Sequence, residues 1–140
     1  GTTMFPGSPS VLSKMASPKR YTDPDYMRSI AAEIYGGDFR TDPTLITRHA
    51  GAMKGATRYG YFLQLFAMTG WTSLPWLWLL RQPTLIIAGT DDPLVPVINA
   101  RILHKMIPNS RLELVDDGHL FLVTKPKMSA ELIEAFLREE

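Results

Sequence analysis

Hydrophobic and polar positions divide the 140-residue chain into two halves of different kind. In the first, apolar residues recur at helical spacing: Tyr26, Ile30 and Ile34 fall four apart, beside Met27, Ala31 and Tyr35, and make one apolar face. Asp23 stands where an N-cap is needed and Pro24 at the first helical position, where a missing N–H costs nothing. Gly36-Gly37 ends that helix. Thr41-Asp42-Pro43 repeats the opening for a second helix running through Leu45, Ile46 and Met53. A third is expected from about Ala56 to Met68, with Tyr59, Phe62, Leu63 and Phe66 on its apolar side and Gly70 after it. Trp71 to Leu80 then gives a short aromatic helix. Residues 1–22 carry Pro6, Gly7, Pro9 and Pro18 among serines and read as irregular.

The second half alternates strand and helix. Pro83-Thr84-Leu85-Ile86-Ile87-Ala88, closed by Gly89, fits a strand buried on both faces of a parallel sheet. After the acidic turn Gly89-Thr90-Asp91-Asp92-Pro93, Ala100, Leu103 and Ile107 line one helical face, and Pro108-Asn109 stops it. Arg111 to Val115 is a second strand, and Asp116-Asp117-Gly118-His119 its loop. Leu132, Ile133, Phe136 and Leu137 are expected to face inward on a terminal helix. Two parallel strands leave both sheet edges open, so on this reading the chain is the second half of a larger sheet whose other strands lie elsewhere.

Composition narrows the class. Fifteen Lys and Arg against fourteen Asp and Glu give a net charge of +1, which argues against a nucleic-acid binder. The absence of cysteine excludes disulfides and thiolate metal sites. The apolar window Tyr61 to Leu80 is interrupted by Gln64, Thr69, Gly70, Thr72, Ser73 and Pro75, so no membrane span is expected. The first residues lack the basic and apolar regions of a signal peptide, and the missing initial methionine points to a chain that begins mid-protein or after processing.

Asp92 and His119 stand 27 residues apart, separated by one helix and one strand. That spacing puts an acid and an imidazole on neighbouring loops beyond the carboxyl ends of two parallel strands, where α/β sheets keep their chemistry. A carboxylate there holds the histidine in one tautomer and stabilises the imidazolium formed when it takes a proton from a nucleophile. Asp before Pro is also a common turn residue and Asp-Gly a common loop, but the pair in one βαβ unit favours chemistry. Asp91 competes with Asp92, and the step from Gly89 favours Asp92. Asp116 and Asp117 are expected to bond local backbone. His49 and His104 look inert, and three scattered histidines make no zinc site and imply no cofactor. No serine lies in a Gly-x-Ser-x-Gly elbow and nothing supplies an oxyanion hole.

Gly89-Thr90-Asp91-Asp92-Pro93-Leu94-Val95-Pro96 resembles the acid-bearing turn of the α/β-hydrolases, and Asp117-Gly118-His119 their histidine loop, in the family order Ser, Asp, His. Ser17-Pro18-Lys19-Arg20-Tyr21-Thr22-Asp23-Pro24, Ile34-Tyr35-Gly36-Gly37-Asp38-Phe39-Arg40, Gly70-Trp71-Thr72-Ser73-Leu74 and Asp116 to Leu122 are similar to the intracellular depolymerases of medium-chain polyhydroxyalkanoates. The resemblance implies an α/β fold: an irregular lead-in over 1–19, a helical cap over 20–80, and over 81–140 the C-terminal part of an α/β-hydrolase core, a parallel sheet with flanking helices. The N-terminal half of the sheet and the nucleophile serine would lie upstream of Gly1. It further implies cleavage of a small or polymeric aliphatic ester in the cytoplasm, with Asp92 and His119 catalytic and Leu94, Leu120, Phe66 and Trp71 in the substrate pocket. No cofactor is implied. Association with polymer granules, self-association, or pairing with the missing half would be the partner relations. A lipase-like esterase, a haloperoxidase-like enzyme, a C–C hydrolase and a non-catalytic interaction fragment remain alternatives.

Overall fold

The computed structural model describes residues 4–52 and 57–139. Three helices open the chain, α1 (Pro9–Ala16), α2 (Lys19–Thr22) and α3 (Pro24–Tyr35), followed by a 3₁₀ turn over Gly37–Arg40 and by α4 (Pro43–Ala52) and α5 (Arg58–Met68). A second 3₁₀ segment, Leu74–Leu79, leads into β1 (Thr84–Gly89), α6 (Ile98–Met106), β2 (Ser110–Val115), α7 (Phe121–Thr124) and α8 (Pro126–Arg138). Strands β1 and β2 pair in parallel, Thr84 opposite Ser110 and Gly89 opposite Val115, with α6 as the crossover. Among the described residues the sheet has these two strands. Met53 and Ala56, expected at the ends of two helices, lie outside the described residues.

The first correction is to the irregular lead-in. Ser8 caps α1, its hydroxyl accepting from Val11 N–H, and Pro9 sits in the first turn. Pro9, which looks like a breaker, is therefore a helix starter. Val11 is buried in a helical core with Met27, Ile30, Ala31, Ile34 and Phe39, and Leu94 and Leu120 pack on it from the second half. A smaller core joins Ile86 of β1 to Ala100 and Ile107 at α6, and Leu103 packs against it.

Three further expectations are corrected by burial. On α5 the expected inner residues Tyr59, Phe62, Leu63 and Phe66 are exposed, and Tyr61 is the buried one. Tyr61 turns inward because its hydroxyl donates to the Met15 carbonyl and its ring meets Tyr21 edge-on at 5.5 Å. On α8, Ile133 and Leu137 are exposed and Ser129 is buried, its hydroxyl donating to the Lys125 carbonyl at 2.9 Å. In β1 only Ile86 and Gly89 are buried, so the strand is half-covered rather than enclosed. No further strand of the described chain lies on these faces.

The helical layer and the sheet are interlocked where the turn after α3 meets the loop after β2. Gly36 adopts φ +67°, and a Cβ there would come within 2.1 Å of the Asp91 carbonyl oxygen. A Cβ on Gly118 would stand 1.9 Å from the Tyr35 carbonyl oxygen. Only glycine permits this approach. Gly118→Ala and Gly36→Ala are each expected to lower the unfolding free energy by roughly 2–4 kcal/mol in urea titration. Gly51→Ala, whose new Cβ would meet nothing within 4 Å inside α4, is expected to raise it by roughly 0.5–1 kcal/mol. A neutral Gly118→Ala would show that the two loops do not meet.

Candidate active site

The turn after β1 folds Asp92 back on itself. Its Oδ1 accepts from the backbone N–H groups of Leu94 at 2.9 Å and Val95 at 2.8 Å, an Asx turn that fixes the carboxyl plane. The other oxygen, Oδ2, lies 2.8 Å from His119 Nδ1. An ionised carboxylate can only accept, so Nδ1 carries the proton and the neutral ring keeps a bare Nε2. The Asp92 side chain is 9% exposed and that of His119 32%, so the acid is shielded and the imidazole accessible. This arrangement can take a proton from a hydroxyl and hold the imidazolium that results. Asp91 points elsewhere: Oδ2 accepts from Gly37 N–H at 2.8 Å, and Oδ1 stands 3.3 Å from Arg40 Nη2.

His119 is held from its backbone as well. Its N–H donates to the Tyr35 carbonyl at 2.7 Å, and its ring lies parallel to that of Tyr35, 7° apart with centroids at 6.4 Å. The Tyr35 hydroxyl is 3.1 Å from His49 Nε2, which ties His49 to the residue whose ring lies parallel to the imidazole. Burial pushes the Tyr35 phenol up and the His49 imidazole down from their ordinary values. His104 lies on the surface and pairs with Ser110.

Asp117 reaches further than local backbone. It is 2% exposed, and its Oδ1 accepts from Gly118 N–H at 2.7 Å and from Asp38 N–H at 2.8 Å, on the turn after α3. Thr124 Oγ1 donates to Oδ2. The carboxylate thus joins the histidine loop, α7 and the helical layer. Asp116, by contrast, stays at the surface, 3.4 Å from Thr90 Oγ1.

His119 opens on two adjoining cavities. One, of about 210 Å³, is bounded by β1, Asp92, Asn99 and Phe121. The other, of about 480 Å³, runs between Leu94 and the helical layer, past Leu12, Met15, Tyr61 and Leu65. Of the four residues expected in a substrate pocket, Leu94 lines this larger cavity and Leu120 packs instead on the helical core. Phe66 is 78% exposed and Trp71 65%, and neither borders His119, because α5 presents Tyr61 and Leu65 to the cavity. Met4 to Gly7 supply wall that sequence reasoning did not foresee. Buried Asn99 holds them, its Oδ1 accepting from Phe5 N–H and its Nδ2 donating to the Phe5 carbonyl, both at 2.8 Å. Ser8-Pro9, a helix start, was the one signal of order there. Among the described residues no three His, Asp or Glu side chains are grouped to hold a metal ion, and no helix is long and apolar enough to cross a membrane.

Burial pushes the Asp117 carboxyl up, yet the bonds from Thr124, Asp38 and Gly118, with the Lys125 charge, outweigh it and hold the group below its ordinary value. A depressed folded value means that the contribution is present above the unfolded value, about 3.9, and is lost as pH falls through the folded one. Asp117→Asn is expected to cost roughly 1–3 kcal/mol at neutral pH. The gap from wild type should narrow below about pH 4, as read by thermal unfolding across pH. A gap that widens in acid would contradict the clamp.

Three comparisons bear on this geometry. The profile of the alpha/beta hydrolase fold matches residues 28–126. The chain is 51% identical over all 140 residues to a poly(3-hydroxyalkanoate) depolymerase of Ectopseudomonas oleovorans, of which it covers 50%. Its fold matches the enol-lactonase from Burkholderia xenovorans LB400 with a TM-score of 0.74 at 20% identity, over 95% of this chain and 52% of that one. It also matches the putative non-heme bromoperoxidase BpoC from Mycobacterium tuberculosis H37Rv with a TM-score of 0.76 at 18% identity, over 94% and 53%. The chain thus spans about half the length of that depolymerase and of these two solved chains. With the family profile over most of its length, the chain belongs to the alpha/beta hydrolase fold family.

Proposed function

We propose that this chain carries the acid and the base of a Ser-His-Asp triad in an ester hydrolase acting on polyhydroxyalkanoate or related aliphatic esters. The observation that carries the reading is the 2.8 Å bond between Asp92 Oδ2 and His119 Nδ1 at the edge of an apolar cavity. The substrate class rests on the identity to the poly(3-hydroxyalkanoate) depolymerase. The serine lies upstream of Gly1, together with the strands that cover the open edge and faces of the β1–β2 sheet. Residues 20–80 act as the cap and 81–140 as the C-terminal part of the core.

In the reaction, serine Oγ attacks the ester carbonyl while its proton passes to His119 Nε2. Collapse of the tetrahedral intermediate breaks the C–O bond, and the imidazolium returns the proton to the leaving alkoxide. Water then enters by the same route and releases the acid. Asp92 keeps Nδ1 protonated throughout. The protein works in the cytoplasm, where exposed Tyr59, Phe66, Trp71 and Trp76 meet the apolar surface of a polymer granule.

In the full-length protein, Asp92→Asn is expected to lower kcat about 10⁴-fold and His119→Ala at least as much. Hydrolysis of a 3-hydroxyalkanoate ester measures the first effect, and thermal unfolding should show folding nearly unchanged. Near-normal turnover in either variant would refute the assignment.

A further inference from the structure

Among the described residues Arg20 is a cation without an anion. It sits half-buried on α2, with Nη2 donating to the Tyr21 hydroxyl at 2.6 Å and Nη1 3.5 Å from the thioether of Met15. Its guanidinium lies over the rings of Tyr21 at 4.3 Å and Tyr61 at 5.3 Å. Nε is sealed from solvent and has no hydrogen-bond partner. Other cations of the helical half are better supplied: Lys14 pairs with Glu33 and Arg40 with Asp91. No carboxylate of the described residues stands within ion-pair distance of Arg20. Aromatic faces offset part of the cost of withdrawing a guanidinium from water, but they do not neutralise it.

The space beside this cation is the larger cavity, about 480 Å³, where Arg20 supplies the charge and His119 the imidazole on walls formed by Leu12, Met15, Leu65 and Leu94. The two are linked through Tyr35. Burial pushes its phenol up while the Arg20 charge and a hydrogen bond from the guanidinium act the other way, and its ring lies parallel to the imidazole. One ligand can therefore lie along apolar wall, place an anionic group at Arg20 and extend toward His119. A planar carboxylate suits a guanidinium that has N–H groups to spare.

We propose that Arg20 binds the carboxylate of an aliphatic acid in this cavity, beside the ester-cleaving residues. This deepens the hydrolase reading and rests on it for the biological source of the ligand. The carboxylate belongs to the acid that ester cleavage releases, or to the free acid end of an oligomeric ester. Either way the cavity discriminates by charge as well as by chain length, and the acid competes with neutral esters for it.

The test compares octanoate with octanamide, an uncharged analogue of the same shape, by calorimetry on the full-length protein at low ionic strength. Octanoate is expected to bind about tenfold to a hundredfold more tightly. The advantage should disappear in Arg20→Met. Arg20→Gln, which keeps a hydrogen bond to Tyr21 within reach, takes its place if the first variant does not fold. Equal affinity for the two ligands in wild type, no binding of either, or a preference that survives loss of the guanidinium would each overturn the proposal. These readouts involve no turnover, so failure of the triad assignment leaves them unaffected, and failure of carboxylate binding leaves Asp92→Asn to decide hydrolysis separately.

Discussion

The structure depends on backbone meeting backbone where the turn after α3 docks on the loop after β2. The Tyr35 carbonyl accepts from His119 N–H at 2.7 Å, and Gly118 leaves no room for a side chain beneath it. On the other side Asp91 N–H donates to the Asp117 carbonyl at 3.0 Å, tying together the two strand-end loops. Three segments are thus referenced to one point: the end of α3, the turn after β1 and the histidine loop. Side-chain hydrogen bonds can swing, but a backbone contact at van der Waals limits cannot. The 2.8 Å spacing of Asp92 and His119 is a consequence of this contact as much as of the two side chains.

Local chemistry made much of this legible. Asp23 caps α3 through the N–H groups of Asp25 and Tyr26, Pro24 opens it and Gly36 ends it, each by a rule that needs no tertiary information. The βαβ unit followed from apolar runs and a helical face, and its topology alone brings the loops of Asp92 and His119 together. The Asp116–Asp117 pair was another matter. Nothing near Asp117 announces a bond to Asp38, which is 79 residues away. Such bonds belong to the tertiary arrangement, as does the contact of Asn99 with Phe5 across 94 residues.

The expectations that fail do so for separate physical reasons. The prolines near the N-terminus were read as breakers, although Ser8-Pro9 uses the same starting device as Asp23-Pro24. On α5 the apolar residues outnumber the space available on the inner side, so periodicity could not say which face wins. Tyr61 wins through a hydroxyl that reaches the Met15 carbonyl, leaving Phe62 and Phe66 outside. On α8 the pattern is amphipathic, yet Leu137 stays 61% exposed. Amphipathicity records what a helix can bury, and the partner decides whether it does.

Asn99 offers Phe5 one acceptor and one donor, as a neighbouring peptide group in a sheet would. The clasp reads only main-chain atoms and is blind to whatever side chain position 5 carries. The strap along the cavity can therefore change its lining, residue by residue, without loosening its anchor. A wall fastened in this way lets the shape of the cavity change while Asp92 and His119 beside it stay in register.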